Sequence, residues 1–381
     1  MLFEAAPLGE QERSVLDQIG ELQRSLAIYV SEPRRWSRSL RRAQAARHIR
    51  GSNSIEGFDA SLDDAAAIEL GEEPIDAGSE TVLALRGYSE AMTFVLQLAA
   101  DETFEYSDML LRSLHFMMTS YDLASRPGRW RSGSIYVRDD TTERNVYEGP
   151  PVEDVPRLID ALIADLRSSE PGPPIIRAAM AHLNLVMIHP FRDGNGRMAR
   201  CLQTLVLSRD RILAPEFSSI EEYLGRDTRA YYDVLASTGR GSWQPANDTT
   251  AWIRFSLLAH LRQARSLLRR VRESERLWDQ LEQLARAKGL PERTIPVLWN
   301  AAVGYRIRRA VYVAMGDDWG EEITEQTATR DLRLLVDRGL LVPKGEKRGR
   351  HYIASSTVRA EHEALIAQRD PRDDLDPFAG L

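Results

Sequence analysis

The chain has 381 residues, 43% of them hydrophobic and 28% charged, with a formal net charge of −7. That content fills the cores of two or three compact units, argues against disorder, and exerts no global pull toward nucleic acid. No apolar run approaches the roughly 18 residues of a membrane span and no N-terminal stretch has the pattern of a leader, while the single cysteine, Cys201, fits a reducing cytoplasm.

Leu16, Ile19, Leu22 and Leu26 recur at helical spacing and predict a first amphipathic helix. A basic segment from Arg34 to Arg50 leads into a helix predicted over 43–55. Ser52 and Glu56 are four apart and share one face there, and Gly57 suits a helix end. Further helices are predicted over 81–100 and 107–120. Residues 133–138 and 146–148, separated by a polar turn over 139–145, predict a β-hairpin, and a helix follows over 152–166.

Pro173-Pro174 opens an apolar run that predicts a buried helix of about four turns, stopped at His189 by Pro190. Helical periodicity resumes at Arg197, which puts Gly194-Asn195-Gly196 at a helix N-terminus. Free amides and the helix dipole favour anions there, and glycines let a ligand come close. Arg197 and Arg200, three apart, share a face, and their guanidinium forks match phosphate oxygens. Asp193 beside that cradle suits a Mg²⁺ shared with phosphates. His189 has a pKa suited to taking a proton from an attacking hydroxyl.

Residues 189–200, HPFRDGNGRMAR, resemble the Fic family motif H-x-F-x-(D/E)-G-N-G-R-x-x-R at every fixed position. The resemblance implies a mainly α fold, a Fic-type helical core with a β-hairpin flap. It implies a protein adenylyltransferase that moves AMP from ATP to a Ser, Thr or Tyr hydroxyl of a target protein, or of the chain itself. His189 is then the general base, Asp193 the Mg²⁺ ligand and Phe191 a core anchor. Gly194, Asn195 and Gly196 surround the phosphates, and Arg197 and Arg200 neutralise the leaving pyrophosphate. The flap residues Ile135, Tyr136 and Val137 would hold the target by strand addition. Tyr231 or Tyr232 would line the adenine pocket.

Ser52-Asn53-Ser54-Ile55-Glu56-Gly57 likewise resembles the family's inhibitory motif (S/T)-x-x-x-E-(G/N). That implies a Glu56 that pairs with Arg200, claims the γ-phosphate position and turns ATP away from in-line attack. Two rival readings share these residues. One is the same fold removing AMP, with Glu56 orienting water. The other is a nucleotide-sensing regulator that binds DNA.

Past the core, Leu257, Leu261, Ala264, Leu268 and Val271 form a heptad seam running on to Trp278 and Leu281, available to intramolecular packing or to a homodimer. Residues 294–354 resemble the winged helix-turn-helix units appended to Fic cores. A helix is predicted over 305–313 and a second one is capped by Thr324 and closed by Gly339. Strands at 340–342 and 351–353 flank a basic wing. Thr329, Arg330 and Arg333 would face a DNA groove. Between Tyr305 and Ile353, ten basic residues meet eight acidic ones, a weak footprint for DNA. The expected division is an N-terminal helical region with the inhibitory helix (1–100), a Fic core (101–275), a helical linker (276–293), a winged helix (294–358) and a tail (359–381), disordered over 369–376.

Overall fold

The computed structural model describes residues 1–379 except 32–33, 139–142, 169–171, 210–212, 214, 320–321, 347–348 and 371–374. The helical periods of the sequence become α1 (Glu10–Ser31), α2 (Ser37–Ile55), α3 (Leu62–Glu69), α4 (Ser79–Ala100) and α5 (Asp108–Thr119). Ser61 and Ser107 cap α3 and α5, each accepting a main-chain N–H of the first turn. β1 (Tyr136–Arg138) and β2 (Asn145–Glu148) then pair antiparallel, Tyr136 opposite Glu148, with most of the predicted turn outside the described residues.

α6 (Val155–Arg167) leads to the central hairpin of α7 (Pro174–Ile188) and α8 (Asn195–Arg209), followed by α9 (Pro215–Ser218), α10 (Glu221–Arg226), α11 (Thr228–Gly239) and α12 (Thr250–Ala287). α7 is buried on nearly every side and forms the middle of the core. α12 runs unbroken through the expected core–linker boundary at 275. Its seam residues Leu257, Leu261, Ala264, Val271, Trp278 and Leu281 are buried within the chain, which removes that face as a coiled-coil dimer surface. α1 packs along α12 with Val15, Ile19 and Leu26 inward. Among the described residues no helix is long and apolar enough to cross a membrane.

Two glycines set the position of α2. A Cβ on Gly51 would lie 2.5 Å from the Glu221 carbonyl oxygen, and one on Gly225 would lie 2.7 Å from that of Gly51. α2 and α10 therefore cross backbone to backbone. Arg270 of α12 braces the crossing, with two 2.6 Å bonds to Glu222 and one of 2.9 Å to Gln44 of α2. Burial works against the Glu222 charge, but Arg270 and its neighbours hold the carboxyl well below its ordinary value. Gly51→Ala forces the helices apart, at a cost of about 1–3 kcal/mol. Thermal unfolding should show a lower Tm, and an unchanged Tm would contradict this packing.

The C-terminal unit comprises α13 (Ile295–Ala302), α14 (Arg309–Trp319), α15 (Glu325–Asp337), the antiparallel pair β3 (Leu341–Lys344) and β4 (His351–Ala354), and α16 (Ser356–Ile366). Thr324 caps α15, and Gly339 follows it at φ +69°. The helix expected over 305–313 begins only at Arg309. Ile307 instead exchanges two 2.8 Å main-chain bonds with Tyr352, so its segment is extended. Arg306 then reaches Asp63 at 2.7 Å, Asp76 at 2.7 Å and Asp64 at 3.5 Å, tying this unit to the start of α3. Thr329, Arg330 and Arg333 are exposed, while Lys347 and Arg348 of the expected wing lie outside the described residues. The tail is anchored on both sides of 371–374: Arg369 grips Glu273 at 2.7 and 2.8 Å, and Phe378 lies under Arg254. Most of the interior of the stretch expected to be disordered, 371–374, lies outside the described residues.

Candidate functional site

The loop between α7 and α8 is shaped by its own side chains. His189 ends α7 in the left-handed region, φ +50°, as its helix cap. Its Nδ1–H donates to the Val186 carbonyl at 3.0 Å, leaving Nε2 as the lone-pair nitrogen. Burial lowers the His189 pKa, with the Val186 bond and the Glu56 charge opposing it, so the ring is neutral at pH 7. Asn195 does not offer its amide to a ligand. Its Oδ1 accepts the Phe191 N–H at 2.9 Å and its Nδ2 donates to the Phe191 carbonyl at 3.0 Å, so the side chain closes the loop. What remains for an anion is main chain at the start of α8. Phe191 is fully buried, as an anchor should be.

Sequence reading missed His115 on α5. It stacks on Phe191 with ring centroids 3.7 Å apart. Nδ1 accepts the Gly128 N–H at 2.9 Å, so Nε2 carries the proton that it donates to the Asp193 carbonyl at 2.9 Å. Burial pulls its pKa down to about 4. Gly194, at φ +74°, lies against it, where a Cβ would stand 3.0 Å from Thr119 and 3.4 Å from His115.

The end of α2 meets this loop. Gly57, at φ +83°, and Phe58 return their N–H groups to Ser54 and Asn53, a closing turn that fixes Glu56 as the cap residue. Glu56 Oε1 accepts from Arg200 at 2.7 Å, while Ser52 offers its Oγ and carbonyl to the same guanidinium at 2.9 Å each. Arg200 is 1% exposed and Glu56 22%. Burial opposes the Arg200 charge, but Glu56 holds its pKa above the ordinary value. The carboxylate sits over the first turn of α8, where a Cβ on Gly196 would be 2.3 Å from Glu56 Oε1. Phe58 goes on to cover Arg197, its ring 5.2 Å from the guanidinium. Arg197 is buried, bonded to the Tyr121 hydroxyl at 3.2 Å and 3.5 Å from Asp193. The Asp193 carboxylate is 56% exposed.

The two tyrosines divide. Tyr231 lies in the core, where its hydroxyl donates to His182 Nε2 at 2.8 Å and its ring backs Arg200. It cannot line a pocket with its own face. Tyr232 is 44% exposed and donates to the Ile55 carbonyl at 3.2 Å, beside the turn at Glu56 and Gly57. In the hairpin, β2 is occupied on its outer side by a bridge from Glu148 to Ser242. Ile135, Tyr136 and Val137 thus line the other edge, with Tyr136 exposed. Arg131, also missed from sequence, lies buried between this hairpin and His189.

Residues 105–207, which hold α5, the hairpin and the entire loop, match the sequence model of the Fic/DOC family. The chain carries a Fic domain. A relative from Nematostella vectensis, "Protein adenylyltransferase Fic", is 28% identical over 241 residues, covering 61% of this chain and 52% of its own length. "Protein adenylyltransferase fic-1" of Caenorhabditis briggsae is 39% identical over 119 residues, 31% of this chain and 21% of that protein. The chain thus spans about half the length of the first relative and less of the second. Among solved structures, a Fic family protein from Desulfovibrio desulfuricans has a TM-score of 0.58 at 20% identity, covering 93% of this chain and 99% of its own. Fic-1 of C. elegans, residues 134–508, has a TM-score of 0.55 at 23% identity, covering 68% and 71%. Those likenesses place the helical core and its flap in the Fic fold.

Proposed function

We propose that this chain is a protein adenylyltransferase that transfers AMP from ATP to a Ser, Thr or Tyr hydroxyl and is held off by its own α2. One observation carries the reading: the anion cradle at the start of α8 holds the carboxylate of Glu56 where a phosphate would bind. In the reaction, His189 Nε2 takes the hydroxyl proton as the oxygen attacks the α-phosphorus. The α–β phosphoanhydride bond breaks and pyrophosphate leaves toward Arg197 and Arg200. The main-chain N–H groups of Gly194, Asn195 and Gly196 position the phosphates, and Tyr232 flanks the base. The target strand adds to the edge at Ile135, Tyr136 and Val137. Ser52, Glu56 and Gly57 form the brake.

Asp193 fits Mg²⁺: an exposed carboxylate on the rim of the cradle suits an ion that draws its other ligands from phosphates and water. Among the described residues no group of three or more His, Cys, Asp or Glu side chains could hold a metal alone, in keeping with that sharing. Bound there, Mg²⁺ supplies charge neutralisation of the phosphates. The C-terminal unit, read as a winged helix, would bring protein or DNA partners, and the buried Cys201 agrees with a reducing cytoplasm.

A second reading, AMP removal with Glu56 orienting water, uses the same carboxylate, which is 22% exposed above the first turn of α8. The deciding experiment incubates wild type, Glu56→Gly and Glu56→Gly/His189→Ala with α-labelled ATP, Mg²⁺ and host lysate. Label on protein that rises with Glu56→Gly and vanishes in the double variant supports transfer. No label from any of them, with ATP binding demonstrated, overturns it. Glu56-dependent release of AMP from a modified protein favours the second reading.

A further inference from the structure

Arg131 is 6% exposed, and the acceptors around its guanidinium are carbonyls from three separate places. Nε donates to the carbonyl of His189 at 2.9 Å. Nη1 donates at 2.7 Å to that of Gly133, where the chain enters the hairpin, and Nη2 at 2.5 Å to that of Pro150, where it leaves. The Arg131 main-chain N–H adds a 2.8 Å bond to the Pro190 carbonyl. Two close approaches keep this junction tight: a Cβ on Gly149 would lie 2.6 Å from Ile135 and 3.4 Å from Arg131. Tyr147 of β2 also donates to the Met187 carbonyl at 2.8 Å, one more tie between flap and α7.

A surface arginine has no need of this arrangement. Burying a guanidinium among carbonyls is costly unless its donors are used together, and the planar fork holds its three acceptors at fixed mutual angles. One acceptor belongs to a residue in the left-handed region, whose peptide plane sets where the His189 ring points. We infer that Arg131 is a positioning residue that locks both roots of the flap to the backbone of His189. Seating a strand on the flap edge then aims the base, and an empty flap leaves it less well aimed. This inference rests on the transferase reading above. Arg131 acts through His189 and the flap and touches no reacting atom.

The test uses the full chain in the Glu56→Gly background with Arg131→Lys, which keeps the charge and loses the fork, and Arg131→Gln. The probe is α-labelled ATP with Mg²⁺ and host lysate, read as protein-bound label and as free AMP released. Protein-bound label should fall at least about tenfold, since small misplacements at a reacting centre are costly. AMP release should fall with it, while ATP affinity holds within about twofold. A second readout needs no activity. In ¹⁵N spectra, the His189 imidazole signal, assigned through His189→Ala, should shift in Arg131→Lys together with the amides of Ile135, Val137 and Gly149. Label and AMP release at parental levels overturn the inference, as does a loss of ATP affinity equal to the loss of turnover. Unmoved His189 and flap signals overturn it even if no protein is labelled, an outcome that would count separately against the transferase reading.

Discussion

If the chain is the transferase proposed, Glu56→Gly should raise AMP transfer about 10- to 100-fold over the parent chain, read as the initial rate of label incorporation at saturating ATP. The size follows from the contact removed. A hydrogen bond between charged partners is worth about 1.5–3 kcal/mol, and about 1.4 kcal/mol corresponds to each factor of ten in the closed-to-open ratio. The Glu56–Arg200 pair at 2.7 Å is such a bond, with Arg200 almost wholly buried. Its carboxylate also fills the space above Gly196, so one substitution would free both the guanidinium and the position proposed for phosphate. Glu56→Gln retains the shape and loses the charge, and should fall between the two.

The same substitution carries a cost that separates this account from a vague loosening of α2. Arg200 then keeps only Ser52 among these three bonds, in a buried place. Removing one partner of a buried pair destabilises, by up to about 3–5 kcal/mol. The Tm of Glu56→Gly should drop, and ATP should restore more of it than it adds to the parent, since bound anion replaces the lost carboxylate. A variant as stable as the parent, or one that ATP protects no better, would sink the idea that Glu56 occupies the anion site.

How much of this site was legible in the sequence follows the distance over which each part acts. The loop is local, so twelve consecutive residues announced the candidate base, the candidate anion cradle and the two arginines. Glu56 and Ser52 could be singled out because residues 52–57 resemble the family's inhibitory motif, and helical spacing agrees by putting both on one face before Gly57. The residues missed act across the chain. His115 bonds a carbonyl 78 positions away, and Arg131 bonds that of His189 58 positions away. Neither has a periodic partner that would distinguish it from a core histidine or a turn arginine. The Gly51–Gly225 crossing is invisible for the same reason, since a glycine inside a helix says nothing of what presses on it. Asn195 and Tyr231 were read from motif and spacing as nucleotide contacts, but their side chains are turned inward, onto Phe191 and His182. The extended segment at Ile307 lost its predicted helix to pairing with a strand 45 positions later.

In the Glu56→Gly background, His189→Ala should lower transfer by about 10²–10⁴, the usual worth of a positioned general base, and the pH profile would identify the group. Burial depresses the His189 pKa and the Glu56 charge partly offsets that, so removing Glu56 depresses it further. The ring stays unprotonated below the ordinary value near 6.5, and the acid limb of transfer should lie below that pH. Stability changes in the same window. Burial lowers His48, His115 and His260 to about 4 and His182 to about 3. As pH falls below about 6.5 the unfolded chain binds protons that the folded chain refuses, so their contribution is full above that pH and is lost as pH drops toward the folded values. Circular dichroism across the same series separates the two effects. Transfer that falls while the protein is fully folded titrates His189. A midpoint at or above 6.5 in folded protein would exclude a buried His189 as the base. His189→Ala should abolish the acid limb of any residual activity and leave the pH slope of Tm nearly intact, because the other buried histidines still carry it.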